Sequence, residues 1–175
     1  MAATEIVAVL DAGPLIHLDE LGRLNLLNDF KELLVPQTVL DEALKHRPAL
    51  PLAELSNLEI ISEPPPLSAA LLKLVDELAL HAGERAALAV LNARGGQFLL
   101  SDDAAARTVA RAVGFQTHGT IGLILRASRR GKISKSEMLR LLQELPMRTT
   151  LHLRKELLDS ILKTAAAENI QLNYD

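Results

Sequence analysis

The sequence predicts an α/β domain of three layers, with a mostly parallel five-stranded sheet between helices and a helical tail at the end. Three observations predict it. Short apolar runs with no alternation, such as residues 6–10 and 98–100, read as strands buried on both faces. Stretches of helical period lie between these runs, so strand and helix alternate along the chain. A length of 175 residues suits one domain with a sizeable core.

Residues 6–10, Ile-Val-Ala-Val-Leu, are the first strand, and Asp11 follows at its carboxyl end. Ala12-Gly13 allows a tight turn, and Pro14 suits the first position of a helix. Leu21, Leu24, Leu26 and Leu27 suggest a short helix over 20–30, and 33–35 is a brief second strand. Pro36 opens a helix over 37–45, with Val39, Leu40, Ala43 and Leu44 inward; Pro48 ends it, because the residue before proline avoids helical geometry. No element is assigned to 48–57, and 58–61 reads as a third strand.

Three prolines at 64–66 redirect the chain. Leu67, Leu71, Leu74, Val75 and Leu78 follow helical spacing, which Gly83 is expected to break. A new helix then runs over 84–94 and closes on Gly95-Gly96. The strand at 98–100 is followed by a helix with Ala106, Val109, Ala110 and Val113 inward, ended by Gly114. A last strand spans 115–118, and helices span 119–130 and 134–145, the latter striped by Met138, Leu141, Leu142 and Leu145. A final amphipathic helix covers 154–168. The chain reads as one domain over 1–175, with its core in about 5–145 and a helical extension over 146–175.

Composition excludes several functions. Cysteine is absent, so neither disulfides nor thiolate zinc sites are available. With no Trp, one Tyr and three Phe, the chain lacks the exposed rings of a stacking platform for single strands. No leader resembles a signal peptide and no apolar run reaches a membrane span, so a cytoplasmic protein is expected. A net charge of −3 argues against a broad non-specific nucleic-acid footprint. Arg126, Arg129, Arg130, Lys132 and Lys135 form a local basic cluster that reads either as phosphate contacts or as a solvated helix end.

Carboxylates carry the chemical signal. Strands of a parallel α/β sheet all end at one edge, where ligands bind. Asp11 and the pair Asp102-Asp103 follow two such strands, although a charge there is also an ordinary turn or capping residue. Glu84 lies on the apolar stripe of its helix, three, four and seven residues before Ala87, Leu88 and Leu91. An inward charge costs free energy unless paired or bound to a metal, and the alternative is a first-turn glutamate favoured by the helix dipole. Asp41 and Glu42 flank their apolar face about equally, so period does not choose between them. Oxygen ligands without cysteine favour Mg²⁺ or Mn²⁺ and hence phosphoryl-transfer chemistry. His17, His46, His81, His118 and His152 show no helical zinc spacing and read as structural or surface residues, with His118 at a strand end the one to follow.

The segments LDAGPLIHL (10–18), VPQTVLDEAL (35–44), GERAALAVL (83–91), LLSDDAAARTVARAVG (99–114) and GTIGLILRASRRG (119–131), in this order, resemble the PIN-domain ribonuclease family. More closely, they resemble stand-alone prokaryotic PIN proteins, and the resemblance covers about residues 5–145. The resemblance implies a PIN-like fold and four acids around Mg²⁺ or Mn²⁺. By motif position these are Asp11, Glu42, Glu84 and Asp102, with Asp103 as accessory or alternative metal ligand. Family members often carry a hydroxyl two residues after the first aspartate, where this chain has Gly13. Many are similar to the toxin of a toxin–antitoxin pair, and dimers are common. An antitoxin or homodimer partner is thus implied. The apolar side of 151–168, with Leu151, Leu158, Ile161 and Leu162, could receive an antitoxin, but core packing is the favoured reading.

Three functions compete. The first is a metal-dependent ribonuclease of single-stranded RNA, with Asp11, Glu42, Glu84 and Asp102 catalytic and Arg126, Arg129 and Arg130 on phosphates. The second is a non-catalytic module that binds RNA or protein, suggested by Gly13 and the acidic balance. The third is another Mg²⁺-dependent α/β protein. A receiver domain would want a lysine where this chain has His118-Gly119-Thr120, and an aspartyl phosphatase a second aspartate at Gly13, so both rank low.

Overall fold

The computed structural model describes residues 4–167. Strands β1 (Thr4–Leu10), β2 (Phe30–Pro36), β3 (Leu58–Ile61), β4 (Phe98–Leu100) and β5 (Gln116–His118) form one sheet in the order β3-β2-β1-β4-β5. Every pairing is parallel, with Val9 opposite Leu34 and Leu10 opposite Leu100. The chain therefore starts in the middle, builds outward through β2 and β3, and crosses over to β4 and β5. The strand order reverses between β1 and β4, and the carboxyl ends of both strands open there.

Alternate strand residues face opposite layers. Ala8, Leu10, Leu33, Val35 and Leu100 pack under one layer. It comprises helices α1 (Ala12–Glu20), α2 (Gln37–His46), α6 (Thr120–Arg129), α7 (Lys135–Arg148) and α8 (Lys155–Ala167). Val9, Leu34 and Leu99 pack under the other, made of α3 (Ala69–Glu77), α4 (Ala82–Arg94) and α5 (Ala104–Ala112). Burial on both faces is why these strands lack alternation. The expected three-layer architecture is present, with a sheet that is entirely parallel.

Several elements differ from expectation. Residues 20–30 do not form an α-helix; α1 begins directly after Asp11 and a tighter 3-10 helix covers Leu24–Asp29. Pro14 sits inside the first turn of α1, where a missing N–H costs nothing. Gly22, at φ +66°, ends α1, and the amides of Gly22 and Arg23 return to the carbonyls of Asp19 and Leu18. Strand β2 is longer than the three residues expected, because Asn57 donates to the Phe30 carbonyl and holds its start. Gly83 does not break a helix. The break falls at Ala79, at φ +52°, and Gly83 lies inside α4. Helix α7 runs past Leu145 through Pro146 to Arg148. Within the extension, Leu158 and Ala165 are buried, while Leu151, Ile161 and Leu162 pack against the core, as favoured. Glu168, assigned to the last helix, lies outside the described residues.

Candidate functional site

Asp11 is pinned between the two central strands. Its amide donates to the Leu100 carbonyl at 2.9 Å, continuing the β1–β4 ladder by one bond. Its side chain makes no capping bond to α1 beyond the Ala12 amide that follows it. Instead Oδ2 accepts from the buried hydroxyl of Ser101 at 2.6 Å. The residue is only 6% exposed. Burial pushes its carboxyl from 3.8 up to about 6; bonds from Ser101 and the Ala12 amide pull down, and the charges of Glu84 and Glu42 push up again.

Glu42 reaches this place from α2, because α4 has a glycine where the two helices meet. A Cβ on Gly83 would stand 3.1 Å from Glu42 Oε2 and 3.8 Å from Asp11 Oδ1. Its neighbour Asp41 accepts from Gln37, and of the two it is Glu42 whose charge acts on Asp11. Glu84, in the first turn of α4, points inward as its stripe position predicts. Its Oε2 is buried with no hydrogen-bond partner, and the His81 imidazole Nδ1 is 3.7 Å away.

Asp102 follows β4 and is held differently. Oδ1 accepts the Thr120 amide at 2.7 Å, so the carboxylate faces the N-terminus of α6. Oδ2 accepts the Thr120 hydroxyl at 2.6 Å and His17 Nδ1 at 2.8 Å. Burial raises the Asp102 carboxyl, but these bonds from His17 and Thr120 outweigh it and hold it below the usual carboxylate range. Asp103 is the N-cap of α5, with Oδ1 accepting the Ala106 amide at 2.7 Å. That is the capping role weighed for a charge after a strand, and it turns Asp103 to the surface rather than to Asp11.

Among the described residues, no three His, Asp or Glu side chains stand close enough to hold a metal ion as placed. The donor set nevertheless fits a hard divalent cation. Three carboxylates, Asp11, Glu42 and Glu84, gather with no lysine or arginine among the charges acting on Asp11, and one buried oxygen is unpartnered. Such a cluster needs protons or a cation to be stable.

A family model described as a PIN domain matches residues 7–167. The chain belongs to the PIN-domain family. No curated protein and no solved structure matches it. A PIN domain is a nuclease fold, and the parallel sheet with acids at its carboxyl edge is the arrangement that the segment resemblance implies.

The basic cluster is elsewhere. Helix α6 starts beside Asp102 and runs about 15 Å back along the sheet, at 1.5 Å per residue, so its last turn lies at the opposite edge. There Arg126, Arg130 and Lys132 surround the buried Asp29 at 3.2, 2.5 and 3.7 Å, just before β2 begins. Arg126 also lies 4.9 Å above the Phe30 ring. The PIN domain thus does not bring Arg126, Arg129 and Arg130 together with the acids. Arg126 and Arg130 neutralise an aspartate under the sheet. His118 is half-buried and stacked on Phe98 with ring centroids 5.0 Å apart; burial, then Arg126 and Arg129, lower its pKa to about 4.

Four polar residues at the site escaped sequence reasoning: Ser101 on Asp11, His17 and Thr120 on Asp102, and Arg107, whose guanidinium donates to the Ser101 carbonyl at 2.9 Å. Only His17 carried a local signal, a polar residue inside the apolar run Leu15-Ile16-His17-Leu18.

No helix among the described residues is long and apolar enough to cross a membrane.

Proposed function

We propose that this PIN domain is a Mg²⁺- or Mn²⁺-dependent endoribonuclease that hydrolyses phosphodiester bonds of single-stranded RNA. The observation that carries the proposal is the gathering of Asp11, Glu42 and Glu84 at the carboxyl edge, buried in part and uncompensated by any basic side chain acting on Asp11. Asp11, Glu84 and Asp102 would hold the cation, with Glu42 from the facing helix. When bound, a divalent cation supplies charge neutralisation at the scissile phosphate and a more acidic water. The chain's own groups do the rest. Ser101 fixes the direction of the Asp11 carboxylate. His17 and Thr120 keep Asp102 ionised and turned to the N-terminus of α6. Glu42, on an exposed part of α2, is free to orient or deprotonate a water at the mouth, a groove lined also by Thr38, Lys45 and His81.

The test is cleavage of a fluorescent single-stranded RNA with Mn²⁺ or Mg²⁺. Cleavage should be absent in chelator and should fall by at least about a hundredfold in Asp11→Asn and Glu84→Gln, as loss of a group acting in the transition state costs. Equal rates in wild type and both variants would refute the assignment. A toxin role, an antitoxin and a homodimer belong to the same proposal; analytical ultracentrifugation and the neighbouring reading frame test them. One observation favours a binding module instead. Asp102 already has partners on both oxygens, and calorimetry showing no divalent-cation binding would select that reading.

A further inference from the structure

Asp102 sits in a slot made of absences. A Cβ added to Gly13 would stand 3.0 Å from Asp102 Oδ2 and 3.1 Å from its Cβ, tighter than ordinary packing. On the other side, a Cβ at Gly119 would stand 2.6 Å from Oδ1. The carboxylate is thus wedged between two glycines. Gly13 lies in α1, at a position where alanine would be the better helix former.

His17 lies one helical turn beyond Gly13. Helix side chains lean toward the N-terminus, so residue 17 covers the surface over residue 13. Any side chain at 13 would press on the Asp102 carboxyl that the His17 ring holds. The ring is buried and its Nδ1 is 2.8 Å from Oδ2. An ionised carboxylate only accepts, so the proton of this bond is on Nδ1. The bond joins α1 to the start of α5, across a gap that no backbone hydrogen bond spans.

We propose that Gly13 and His17 are one device, an open helix face with an imidazole a turn further on, that orients Asp102 for a divalent cation. Counted by acceptor sites, Oδ2 takes two bonds, from His17 and the Thr120 hydroxyl, and Oδ1 takes one, from the Thr120 amide. The remaining acceptor site is on Oδ1. His17 is therefore a positioning residue: it saturates Oδ2 and leaves Oδ1 for the cation. Orienting partners of this kind are worth about 10- to 100-fold in metal affinity. The statement about the cation rests on the proposed nuclease reading; the pairing of Gly13 with His17 does not.

The test has two measurements on the full chain. In metal-free protein, long-range ¹H–¹⁵N NMR of the imidazoles should show a proton on His17 Nδ1, and Gly13→Ala should abolish that pattern while the protein stays folded. Titration with Mn²⁺ alone, followed by calorimetry, should show binding weakened about tenfold in His17→Ala and in Gly13→Ala. Asn places an amide N–H close to the position of Nδ1, so His17→Asn should recover most of the loss. The double variant should be no weaker than either single one, because both act through the same hold on Asp102. A wild-type tautomer pattern in folded Gly13→Ala overturns the pairing. Unchanged Mn²⁺ affinity in His17→Ala, or losses that add in the double variant, overturn the positioning role. If the wild type binds no Mn²⁺, the nuclease reading falls with the cation clause, and the metal-free spectra decide the pairing by themselves.

Discussion

Asp11→Asn should make the metal-free protein more stable at neutral pH, and by an amount that depends on pH. Asp11 is pushed from 3.8 to about 6 by burial and by Glu84 and Glu42. A raised carboxyl means that the native state holds the proton more tightly than the unfolded chain. Its stability contribution is therefore present below about pH 4 and is lost as pH rises through 6. At 1.36 kcal/mol per unit, the difference amounts to about 3 kcal/mol above pH 7. Asparagine carries no charge and keeps an oxygen for the Ser101 hydroxyl, so a gain of ~2 kcal/mol is expected in chelator at pH 7.5. For a domain of this size that raises Tm by about 4–8 °C. By pH 5 the gap should shrink to about half, since native Asp11 is then largely protonated in the wild type. Calorimetric melts of both proteins between pH 5 and 8 in chelator make the test. On the nuclease reading, Mn²⁺ then closes the gap by stabilising the wild type alone. An Asp11→Asn protein that melts at or below the wild type at pH 7.5, or a gap independent of pH, refutes the claim that Asp11 is a desolvated charge among carboxylates.

The opposite edge of the sheet should respond in the reverse sense. Asp29→Ala strands Arg126 and Arg130 without their buried counter-ion, and should cost about 3 kcal/mol in a denaturant melt, while cleavage per folded molecule is unchanged. Asp103→Ala removes the N-cap of α5 and should cost about 1 kcal/mol with Mn²⁺ affinity unaltered; a tenfold weaker titration would return Asp103 to the ligand set.

The strands were legible because burial on both faces leaves an unbroken apolar run, and nothing but a covered parallel sheet produces several of these in alternation with helices. Helix α1 was not. Its residues Pro14 to Leu18 are all buried, so it has almost no polar face, and without one a helix has no period to read. Ala12-Gly13-Pro14 then resembles a turn. Gly83 misled for a related reason. Glycine in a helical stretch reads as a breaker, yet here it stays in the helix because Glu42 needs the space. The same contact explains why the sequence could not choose Glu42 over Asp41: the deciding neighbour belongs to another helix. Asp11 and Glu84 needed no such help, one marked by the end of its strand and the other by its stripe. Ser101, His17 and Thr120 act through tertiary hydrogen bonds, which leave no trace in spacing. Arg126 and Arg130 read as phosphate contacts or a solvated helix end because their partner, Asp29, is distant in sequence and stands where the chain gave no reason to place a buried charge.

That separation of charge bears on how a polyanion could be bound at all. With Arg126, Arg130 and Lys132 gathered around Asp29 at the amino edge, the carboxyl edge presents Asp11, Glu42, Glu84 and Asp102, with Lys45 and His81 on the rim. A phosphodiester approaching those carboxylates is repelled unless positive charge stands between. The rim supplies one lysine, the guanidinium of Arg107 is engaged by the Ser101 carbonyl, and the whole chain is at −3. On the nuclease reading the missing charge is that of the cation, and its part then begins at recognition, before any bond is cut. RNA affinity and cation occupancy would be linked, each raising the other by the same factor. A site organised this way could stay acidic and selective. It would hold little affinity for nucleic acid when empty, and the uncompensated charge that destabilises the empty fold is the charge that would hold the cation.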